Sequence, residues 1–477
     1  MSSAKPSKDL SQLPVGLREV AAKIDWVNAD EASKYTSDPR DRFVGKCVPV
    51  LLPRSTQQAS QLVKACFDSG VRIVPYGGGT GVVAGQLVFD AEDTIILSLE
   101  KMNVIRSISK EDAVIVAEAG CVLETVQKAV EEIDMMFPLA MASQGSAMIG
   151  GNLATNCGGI QVLRYGNARD LCLGIEAVMP DGSILSELTP LHKNNTGYDL
   201  KNLLIGSEGT LGIITAASLC LKPADKFKVT SFCLIDSPAN ALNLLHTLKS
   251  ELGDRVSAFE LMCDFGITVL QRHFPKEQFP LEQRGRWYAL IEIGAGVGIE
   301  DRFQELLASQ IEAGLVIDAV IAMSDAQRDA LWRLREMTPE ANRLNEAICS
   351  SDTSVPLSKI DEFIEQTYQA IEDVDAGLTI NCYGHVGDGN IHFNVFPPKN
   401  VSKRYLLEND QAMIDDVRLA INKTTLSCKG SISAEHGIGR LKRDDLKNFS
   451  DPVKHSLLKT IKNAIDPKNI MNPGAML

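Results

Sequence analysis

The chain has 477 residues, of which 44% are hydrophobic and 23% charged. This composition excludes an intrinsically disordered protein, and the length predicts about two or three domains with a large buried core. With 48 Lys and Arg against 61 Asp and Glu, the net charge is −13. Such an acidic chain is a poor partner for nucleic acid or an anionic membrane surface. No apolar run approaches the roughly 18–20 residues that a transmembrane helix needs.

Two features predict a cytoplasmic protein. The polar start, Met1 to Leu10, lacks the apolar stretch of a secretion signal. The eleven cysteines are scattered and contain no Cys-x-x-Cys pair, a pattern that is typical of reduced thiols.

Hydrophobic patterning and turn residues predict the following elements in chain order. Ser55 is the predicted N-cap of the first helix and Gly70 follows its end. The alternation of strands and helices indicates an α/β or α+β fold. Strands are predicted at 48–53, 71–74, 94–99, 113–118, 174–180 and 212–221, and helices at 56–68, 122–133, 238–251, 301–313 and 358–372.

Glycine-rich segments with little charge follow several of these strands: Pro75–Gly81, Gly150–Asn156, Asn195–Asp199 and Ile205–Gly212. Clustered glycines let backbone amides approach an anion closely, although one such cluster is equally compatible with a plain turn. The first segment also fits the dinucleotide pattern GxGxxA weakly, and it lacks the Lys-Ser or Lys-Thr of a P-loop. Together the loops predict a long ligand held largely by main chain, such as a dinucleotide.

Histidines cluster in two further glycine-rich segments, 384–392 and 433–439. His385 and His392 are seven residues apart, so a turn at Gly387–Gly389 must intervene if both are to face one point. Glu435 could add an oxygen ligand, and two histidines with one carboxylate are the donor set of a catalytic zinc or manganese site. His436 is adjacent to Glu435 and must therefore serve another purpose.

The order of these segments resembles the flavoprotein family typified by vanillyl-alcohol oxidase, and the C-terminal half resembles the FAD-linked D-2-hydroxyacid dehydrogenases within it. The resemblance covers about residue 40 to Pro473. It implies an α+β fold with a two-part FAD-binding domain, an α+β substrate (cap) domain with an antiparallel sheet, and a C-terminal segment that returns to the flavin. The implied domains are 1–223 (core about 43–223), 224–420 and 421–477.

The resemblance assigns most of the glycine-rich residues to FAD. No histidine lies between residues 1 and 191, so non-covalent FAD is expected. The implied cofactor-binding residues are Pro75, Gly77, Gly78, Gly79, Thr80, Gly81, Ser143, Gly145, Ser146, Gly150, Gly151, Asn152, Thr155, Asn156, Glu208, Gly212, Ile213 and Asn472.

The same resemblance implies a divalent metal ion at His385, His392 and Glu435, with zinc expected first and manganese as the alternative. His436 is the implied base for the substrate hydroxyl, which needs a neutral imidazole.

Three further residues are implied to contact the substrate. Arg335 is expected to bind the substrate carboxylate through its planar guanidinium, with Arg333 as a competitor. Thr338 is the third residue after Arg335, and Asn390 is expected to donate a hydrogen bond to substrate or support the metal site.

Several segments are most similar to D-2-hydroxyglutarate dehydrogenases, among them Leu163–Asp170 and Ala258–Met262. Those enzymes carry a lysine where this chain has Ser350, and a Ser or Thr where it has Pro339. The missing cation favours a shorter or more apolar 2-hydroxy acid, including D-lactate.

The sequence thus predicts an FAD- and metal-dependent D-2-hydroxyacid dehydrogenase. Its expected partners are a small 2-hydroxy acid and an external electron acceptor, either an electron-transfer flavoprotein or a quinone-linked carrier, and a homodimer is expected from the relatives. Two alternatives from other classes remain open at this point. One is a metal-dependent hydrolase with a nucleotide-binding domain, and the other is a non-catalytic flavin sensor or electron-transfer subunit.

Overall fold

The computed structural model describes residues 10–27, 29–295 and 298–477. The helices are α1 Val15–Ala21, α2 Thr56–Ser69, α3 Leu123–Glu131, α4 Ile149–Ala154, α5 Val162–Tyr165, α6 Leu200–Leu204, α7 Pro238–Leu252, α8 Asp264–His273, α9 Ile299–Glu312, α10 Asp325–Glu336, α11 Thr338–Leu344, α12 Ile360–Glu372, α13 Lys403–Asn409, α14 Gln411–Ser427, α15 Arg443–Phe449 and α16 Pro452–Ile465.

The strands are β1 Asp25–Val27, β2 Val50–Leu52, β3 Arg72–Tyr76, β4 Thr94–Ser98, β5 Ile105–Ser109, β6 Val114–Glu118, β7 Met135–Met136, β8 Cys172–Val178, β9 Ile184–Glu187, β10 Ile213–Cys220, β11 Lys222–Pro223, β12 Phe227–Ile235, β13 Val256–Cys263, β14 Trp287–Ala295, β15 Asp318–Ile321, β16 Cys349–Ser350, β17 Thr353–Ser354, β18 Thr379–Gly384 and β19 Asn390–Phe396. Short 3-10 turns at Leu10–Gln12, Ala29–Tyr35, Gly253–Arg255, Leu357–Lys359 and Val386–Asp388 complete the described elements.

The described residues form two compact units. Met1–Gly159, Gly166–Ala224 and Glu435–Leu477 contribute to the first unit, and Ile160–Tyr165 and Asp225–Ala434 to the second. These units differ from the expected segments at three places, because 160–165 and 421–434 belong to the second unit and Ala224 belongs to the first. In the first case, Arg164 forms an ion pair with Asp225 at 2.9 Å. In the second, Ser431 pairs with Ser354 as an isolated bridge.

The first unit contains two main sheets. One has the strand order β1–β2–β4–β3, in which β2, β4 and β3 are parallel and β1 is antiparallel. The other is antiparallel, with the order β5–β6–β10–β8–β9. The C-terminal tail adds to the first sheet, since Ile73 N–H donates to Ile470 O at 2.7 Å and Asn472 N–H to Ile73 O at 2.8 Å.

The second unit is built on one antiparallel sheet with the order β15–β12–β14–β13–β18–β19–β16, to which β17 adds by pairing with β19. Successive strand residues alternate between two cores. Phe259 and Leu261 join the core that includes Phe303 and Phe363, whereas Ala258 and Met262 join the core that includes Trp332. The structure therefore has mixed helix and antiparallel sheet, and the α+β prediction is confirmed.

The predicted elements are found with small shifts in their ends. Ser55 caps α2, since its hydroxyl accepts a hydrogen bond from Gln58 N–H at 3.2 Å. The strand predicted at 174–180 is β8, which begins two residues earlier and ends before Pro180. Residues 179–182 form a turn in which Gly182 N–H donates to Met179 O, and this turn takes the chain out of the sheet.

Two further findings concern the whole described part of the chain. None of the eleven cysteines, all of which lie among the described residues, forms a disulfide. Among the described residues, no helix combines the length and the apolar character that crossing a membrane requires.

Candidate active site: a glycine-lined cavity and a histidine-bearing sheet

The first unit contains a cavity of about 390 Å³. Its wall is almost free of charge and includes three of the glycine-rich segments. Most of the predicted cofactor-binding residues line it, namely Pro75, Gly77, Gly78, Gly79, Thr80, Gly81, Ser143, Gly150, Gly151, Asn152, Thr155, Glu208, Gly212, Ile213 and Asn472. The structure thus brings residues from 75 to 472 around one concave surface that suits a long ligand.

Close backbone packing explains why a glycine is needed in the first loop. A Cβ atom on Gly78 would overlap the carbonyl oxygen of Ser146. Two loops that are 68 positions apart in the chain therefore touch backbone to backbone at this point. This contact brings the Pro75–Gly81 loop and the loop before α4 to the same wall of the cavity.

Three of the predicted cofactor-binding residues lie outside the cavity lining: Gly145, Ser146 and Asn156. Ser146 instead packs against Gly78, and the side-chain oxygen of Asn156 accepts a hydrogen bond from Arg169 N–H at 2.9 Å. Both residues shape loops around the cavity rather than its surface, so direct contact of these three with a cofactor stays a prediction.

The cavity also has lining residues that sequence analysis did not single out, such as Gln86, Leu99, Met141 and Cys157. Gln86 closes the first loop on itself, because its side-chain amide donates to Gly81 O at 2.8 Å. A polar residue five positions after a glycine cluster is a weak signal, and apolar lining residues give none.

Glu208 connects the cavity to the segment that carries His436. Its carboxylate accepts hydrogen bonds from Ile438 N–H at 2.7 Å and Gly439 N–H at 2.6 Å. Burial raises the pKa of this carboxyl group, and the two backbone donors oppose that shift. The Glu208 backbone is also held, since Asn472 Nδ2 donates to Glu208 O at 2.9 Å.

His436 and Glu435 both line this cavity. His436 lies two residues before Ile438, whose backbone Glu208 holds. The predicted base thus stands on the wall that the glycine loops form.

The second unit carries the other predicted residues on the α10 side of its sheet. Glu260 lies between Ala258 and Met262 on β13 and is fully buried. It accepts a hydrogen bond from Arg335 Nε at 2.5 Å and pairs with His385 Nδ1 at 2.5 Å. Burial alone would raise the pKa of Glu260, but Arg335 and His385 lower it to about 2.

This triad fixes the positions of Arg335 and His385. Arg335 is itself buried and stacks over the ring of Tyr383, with 4.8 Å between its guanidinium carbon and the ring centroid. The competing candidate, Arg333, is half-exposed and pairs with Glu277 at 3.1 Å. Of the two arginines, only Arg335 faces the histidines.

His385 and His392 come together as their spacing requires. A short 3-10 turn at Val386–Asp388 separates them, and Gly389 follows with a φ of +87°. A Cβ on Gly389 would also overlap Val355 O. The two imidazole centroids are 5.9 Å apart.

The two imidazoles are held in the same way, each through its Nδ1 atom. His385 Nδ1 faces the Glu260 carboxylate, and His392 Nδ1 lies 3.1 Å from Ser351 O. Each Nδ1 therefore carries the proton and each Nε2 is the unprotonated nitrogen, which in His385 lies 3.4 Å from an Nη atom of Arg335. A histidine whose second nitrogen donates to a carboxylate or carbonyl is the usual form of a metal ligand, so this donor pair fits a divalent metal ion.

Asn390 and Thr338 use part of their hydrogen-bonding capacity within the fold. Asn390 Nδ2 donates to Thr353 O at 2.8 Å and to Asp352 Oδ1 at 3.4 Å. This arrangement uses both amide hydrogens and leaves Asn390 Oδ1 without a hydrogen-bond partner among the described residues. The contact of Asn390 with substrate or with the metal site stays a prediction. The Thr338 hydroxyl donates to Leu334 O at 2.9 Å and keeps its acceptor capacity.

Comparisons with known proteins agree with this architecture. Residues 49–186 match the family model described as FAD binding domain, and residues 224–476 match the model described as FAD linked oxidases, C-terminal domain. A rat mitochondrial D-2-hydroxyglutarate dehydrogenase is 36% identical over 445 residues, which cover 91% of this chain and 78% of that protein. The chain belongs to the FAD-linked oxidase family.

A second relative and a solved structure are also similar to this chain. A provisionally named mitochondrial D-lactate dehydrogenase of Schizosaccharomyces pombe is 33% identical over 95% of this chain and 84% of its own length. The solved structure of p-cresol methylhydroxylase with substrate bound shares the fold, with a TM-score of 0.74 at 16% identity over 97% of this chain and 95% of that one. The fold that the resemblance implied is therefore confirmed.

This FAD-linked oxidase is an FAD-dependent oxidoreductase, and the hydrolase and sensor alternatives are set aside. The cavity of the first unit fits FAD, because uncharged backbone loops at van der Waals contact form its wall. Sequence analysis missed Glu260 as a site residue. An ionisable residue inside an otherwise apolar strand segment, Ala258–Met262, is the signal that could have found it.

Proposed function

We propose that this protein is a D-2-hydroxyacid dehydrogenase that oxidises the C2 hydroxyl of its substrate to a 2-oxo group with the help of a divalent metal ion. The relatives named as D-2-hydroxyglutarate and D-lactate dehydrogenases support this substrate class. The observation that carries the proposal is the pair of sites described above. One is a cavity suited to FAD, with His436 on its wall. The other is a sheet that carries His385 and His392, whose Nε2 atoms are candidate metal ligands, beside Arg335.

FAD would lie in the cavity of the first unit, non-covalently, and would accept the hydride from substrate C2. The Pro75–Gly81 loop would hold its pyrophosphate through backbone amides, since no side chain there carries charge. Asn472, fixed to Glu208 O at 2.9 Å, would contact the cofactor from the tail. The reaction balances as 2-hydroxy acid and oxidised flavin giving 2-oxo acid and reduced flavin.

His436 would accept the hydroxyl proton as the hydride leaves C2. A neutral imidazole suits this task at neutral pH. The Glu208 carboxylate would keep the base in place, because it holds the backbone two and three residues further on.

Arg335 would bind the substrate carboxylate. Its Nε is committed to Glu260, which fixes the plane of the guanidinium and orients it before substrate arrives. The Thr338 hydroxyl oxygen and Asn390 Oδ1 would accept hydrogen bonds from substrate or from water at the same site.

The divalent metal, zinc first and manganese as the alternative, would be held by His385 and His392 together with Glu435. It would polarise the substrate oxygens and so lower the pKa of the hydroxyl group. The chemistry of the donor set supports this assignment, since Glu260 and Ser351 O fix both imidazoles in the tautomer that ligation needs.

A D-2-hydroxy monocarboxylate such as D-lactate is the second candidate substrate. Ser350, at the position where the D-2-hydroxyglutarate dehydrogenases carry a lysine, is exposed and donates to Asn394 Oδ1 at 2.7 Å. These two side chains are neutral, so they offer no cation to a second carboxylate. Electrons would then pass to an external acceptor, an electron-transfer flavoprotein or a quinone-linked carrier.

Turnover with a dye as electron acceptor tests the proposal. FAD- and metal-loaded protein is incubated with D-2-hydroxyglutarate and, separately, with D-lactate, and the 2-oxo acid product is identified. We expect at least one of them to give its 2-oxo acid, with the L enantiomer inactive. A protein that carries FAD and metal but yields no 2-oxo acid from these or from any other D-2-hydroxy acid would contradict the proposed function.

A further inference from the structure

Three neighbouring strands of the second unit place neutral polar side chains side by side. Ser350 on β16 pairs with Asn394 on β19, which pairs with Asn381 on β18. Ser350 Oγ donates to Asn394 Oδ1 at 2.7 Å, and Asn381 Nδ2 donates to Asn342 Oδ1 at 2.9 Å on α11. We call Ser350, Asn394, Asn381 and Asn342 the neutral row.

The neutral row borders the proposed substrate site. Asn394 follows His392 by two residues on β19, so both side chains face the same way and lie about 7 Å apart along the strand. Asn342 follows Thr338 by four residues on α11, so these two also share a face. A substrate whose hydroxyl lies at the histidines and whose carboxylate lies at Arg335 would therefore extend its distal carbons toward this row.

The row also contains an open hydrogen-bond donor. Asn342, Asn381 and Asn394 are all at least 96% buried. Asn342 Nδ2 has no hydrogen-bond partner among the described residues. A buried N–H without a partner is unfavourable, and an acceptor on a ligand would satisfy it.

The charges on this face decide what kind of ligand group fits. Arg335 is already neutralised by Glu260 at 2.5 Å, and serine and asparagine side chains carry no charge. A second carboxylate buried against the row would lose its water without gaining a cation. An amide or hydroxyl group would exchange its hydrogen bonds with water for hydrogen bonds with the asparagines.

We propose that the neutral row selects D-2-hydroxy acids whose distal end is an uncharged hydrogen-bonding group and discriminates against dicarboxylates. This specificity rests on the proposed function, because it concerns the far end of the same substrate. Ser350 and Asn394 are its specificity-determining residues, and Asn342 supplies the open donor.

Three D-2-hydroxy acids with the same five-carbon chain test the inference. They are D-2-hydroxyglutarate with a distal carboxylate, its 5-amide, and D-2-hydroxypentanoate with a distal methyl group. Each is mixed anaerobically with the FAD- and metal-loaded protein, and the rate of flavin reduction is followed against substrate concentration. We expect the amide to exceed the dicarboxylate in efficiency by about tenfold or more, mainly through tighter binding, and to exceed the methyl compound as well.

A positive charge placed in the row should reduce or abolish this preference. Ser350→Lys is expected to raise the efficiency with D-2-hydroxyglutarate by about tenfold, because the exposed position can take a lysine and offers the distal carboxylate a cation. Ser309→Lys adds the same charge to an exposed position on α9 and should leave the substrate ratio unchanged.

The possible outcomes distinguish failure of the proposed specificity from failure of the proposed dehydrogenase function. A wild-type preference for the dicarboxylate or for the methyl compound over the amide would overturn the inference and leave the dehydrogenase intact. An unchanged substrate ratio in folded, flavin-loaded Ser350→Lys would also overturn it. If none of the three acids reduces the flavin, and D-lactate does not either, the proposed function itself fails and the inference fails with it.

Discussion

Glu208 accepts a hydrogen bond from the backbone N–H of Gly439 at 2.6 Å, although the two residues are 231 positions apart. A second bond, from Ile438 N–H at 2.7 Å, engages the other carboxylate oxygen. The cavity wall formed by the glycine loops is thereby tied to the segment that carries His436. The proposed base thus lies on a segment whose backbone this carboxylate holds.

The first prediction follows from this tie. Glu208→Gln replaces one acceptor oxygen with an NH2 group, which then faces a backbone N–H. We expect the free energy of unfolding to fall by about 1–3 kcal/mol and the rate of flavin reduction to fall with it, as measured by denaturant unfolding and stopped-flow absorbance. Glu187→Gln, on exposed β9, is the control. Equal behaviour of the two variants would show that the Glu208 contact does not position the base.

The second prediction concerns the FAD cavity. An alanine Cβ at Gly78 overlaps Ser146 O, so Gly78→Ala must push the two loops apart. We expect FAD binding to weaken by about tenfold or more, measured as the FAD-to-protein absorbance ratio during titration of the apoprotein. Gly16→Ala serves as the control, because nothing lies within 4 Å of its added Cβ. Full FAD affinity in Gly78→Ala would argue against FAD binding at these loops.

The third prediction separates cofactor binding from proton transfer. His436→Ala should keep FAD bound but slow its reduction by substrate by about 10²–10⁴-fold, the usual contribution of a general base. Anaerobic stopped-flow absorbance measures both properties in one experiment. His192→Ala, at an exposed position, should behave as wild type. Undiminished reduction in His436→Ala would remove this residue from the base role.

The fourth prediction tests the metal. His385→Ala and His392→Ala should each lose most of about one bound divalent ion per chain, because each removes one ligand of a small donor set. FAD should remain, since its cavity belongs to the first unit. Elemental analysis and the flavin spectrum report the two separately, with exposed His246→Ala as the control. Retention of the ion in both variants would contradict the proposed site.

The fifth prediction concerns Glu260. Glu260→Gln removes the charge of the carboxylate that pairs with buried Arg335 at 2.5 Å, which we expect to cost about 3–5 kcal/mol of folding free energy. The substrate KM should rise as well, because Arg335 and His385 lose their common anchor. Glu277→Gln is the control. It breaks the ion pair with half-exposed Arg333, which lies on α10 like Arg335, and should cost no more than about 1 kcal/mol of folding free energy. Similar costs for the two variants would mean that Glu260 is not the structural centre of this site.

Local signals allowed much of the fold to be predicted from sequence. The Ser55 cap, the periodicity of α7 and the spacing of His385 and His392 around a glycine turn all act over a few residues, and each appears in the structure. The ends of β8 were displaced because its pairing with β10 sets them, and that pairing joins residues about 40 positions apart.

The contacts that sequence analysis missed are those between distant residues. Glu260 lies 75 residues from Arg335 and 125 from His385, so no spacing rule relates the three. The hydrogen bonds that Asn390 Nδ2 donates to Thr353 O and Asp352 Oδ1, 37 and 38 positions away, could not be predicted for the same reason.

One measurement tests the central claim most directly. The purified protein, loaded with FAD and a divalent metal, is titrated anaerobically with the D and L enantiomers of lactate and of 2-hydroxyglutarate while the flavin spectrum is recorded. The account predicts that the oxidised-flavin band disappears with at least one D enantiomer and persists with both L enantiomers. Persistence of the band with every D-2-hydroxy acid, or a protein that cannot be loaded with FAD, would contradict it.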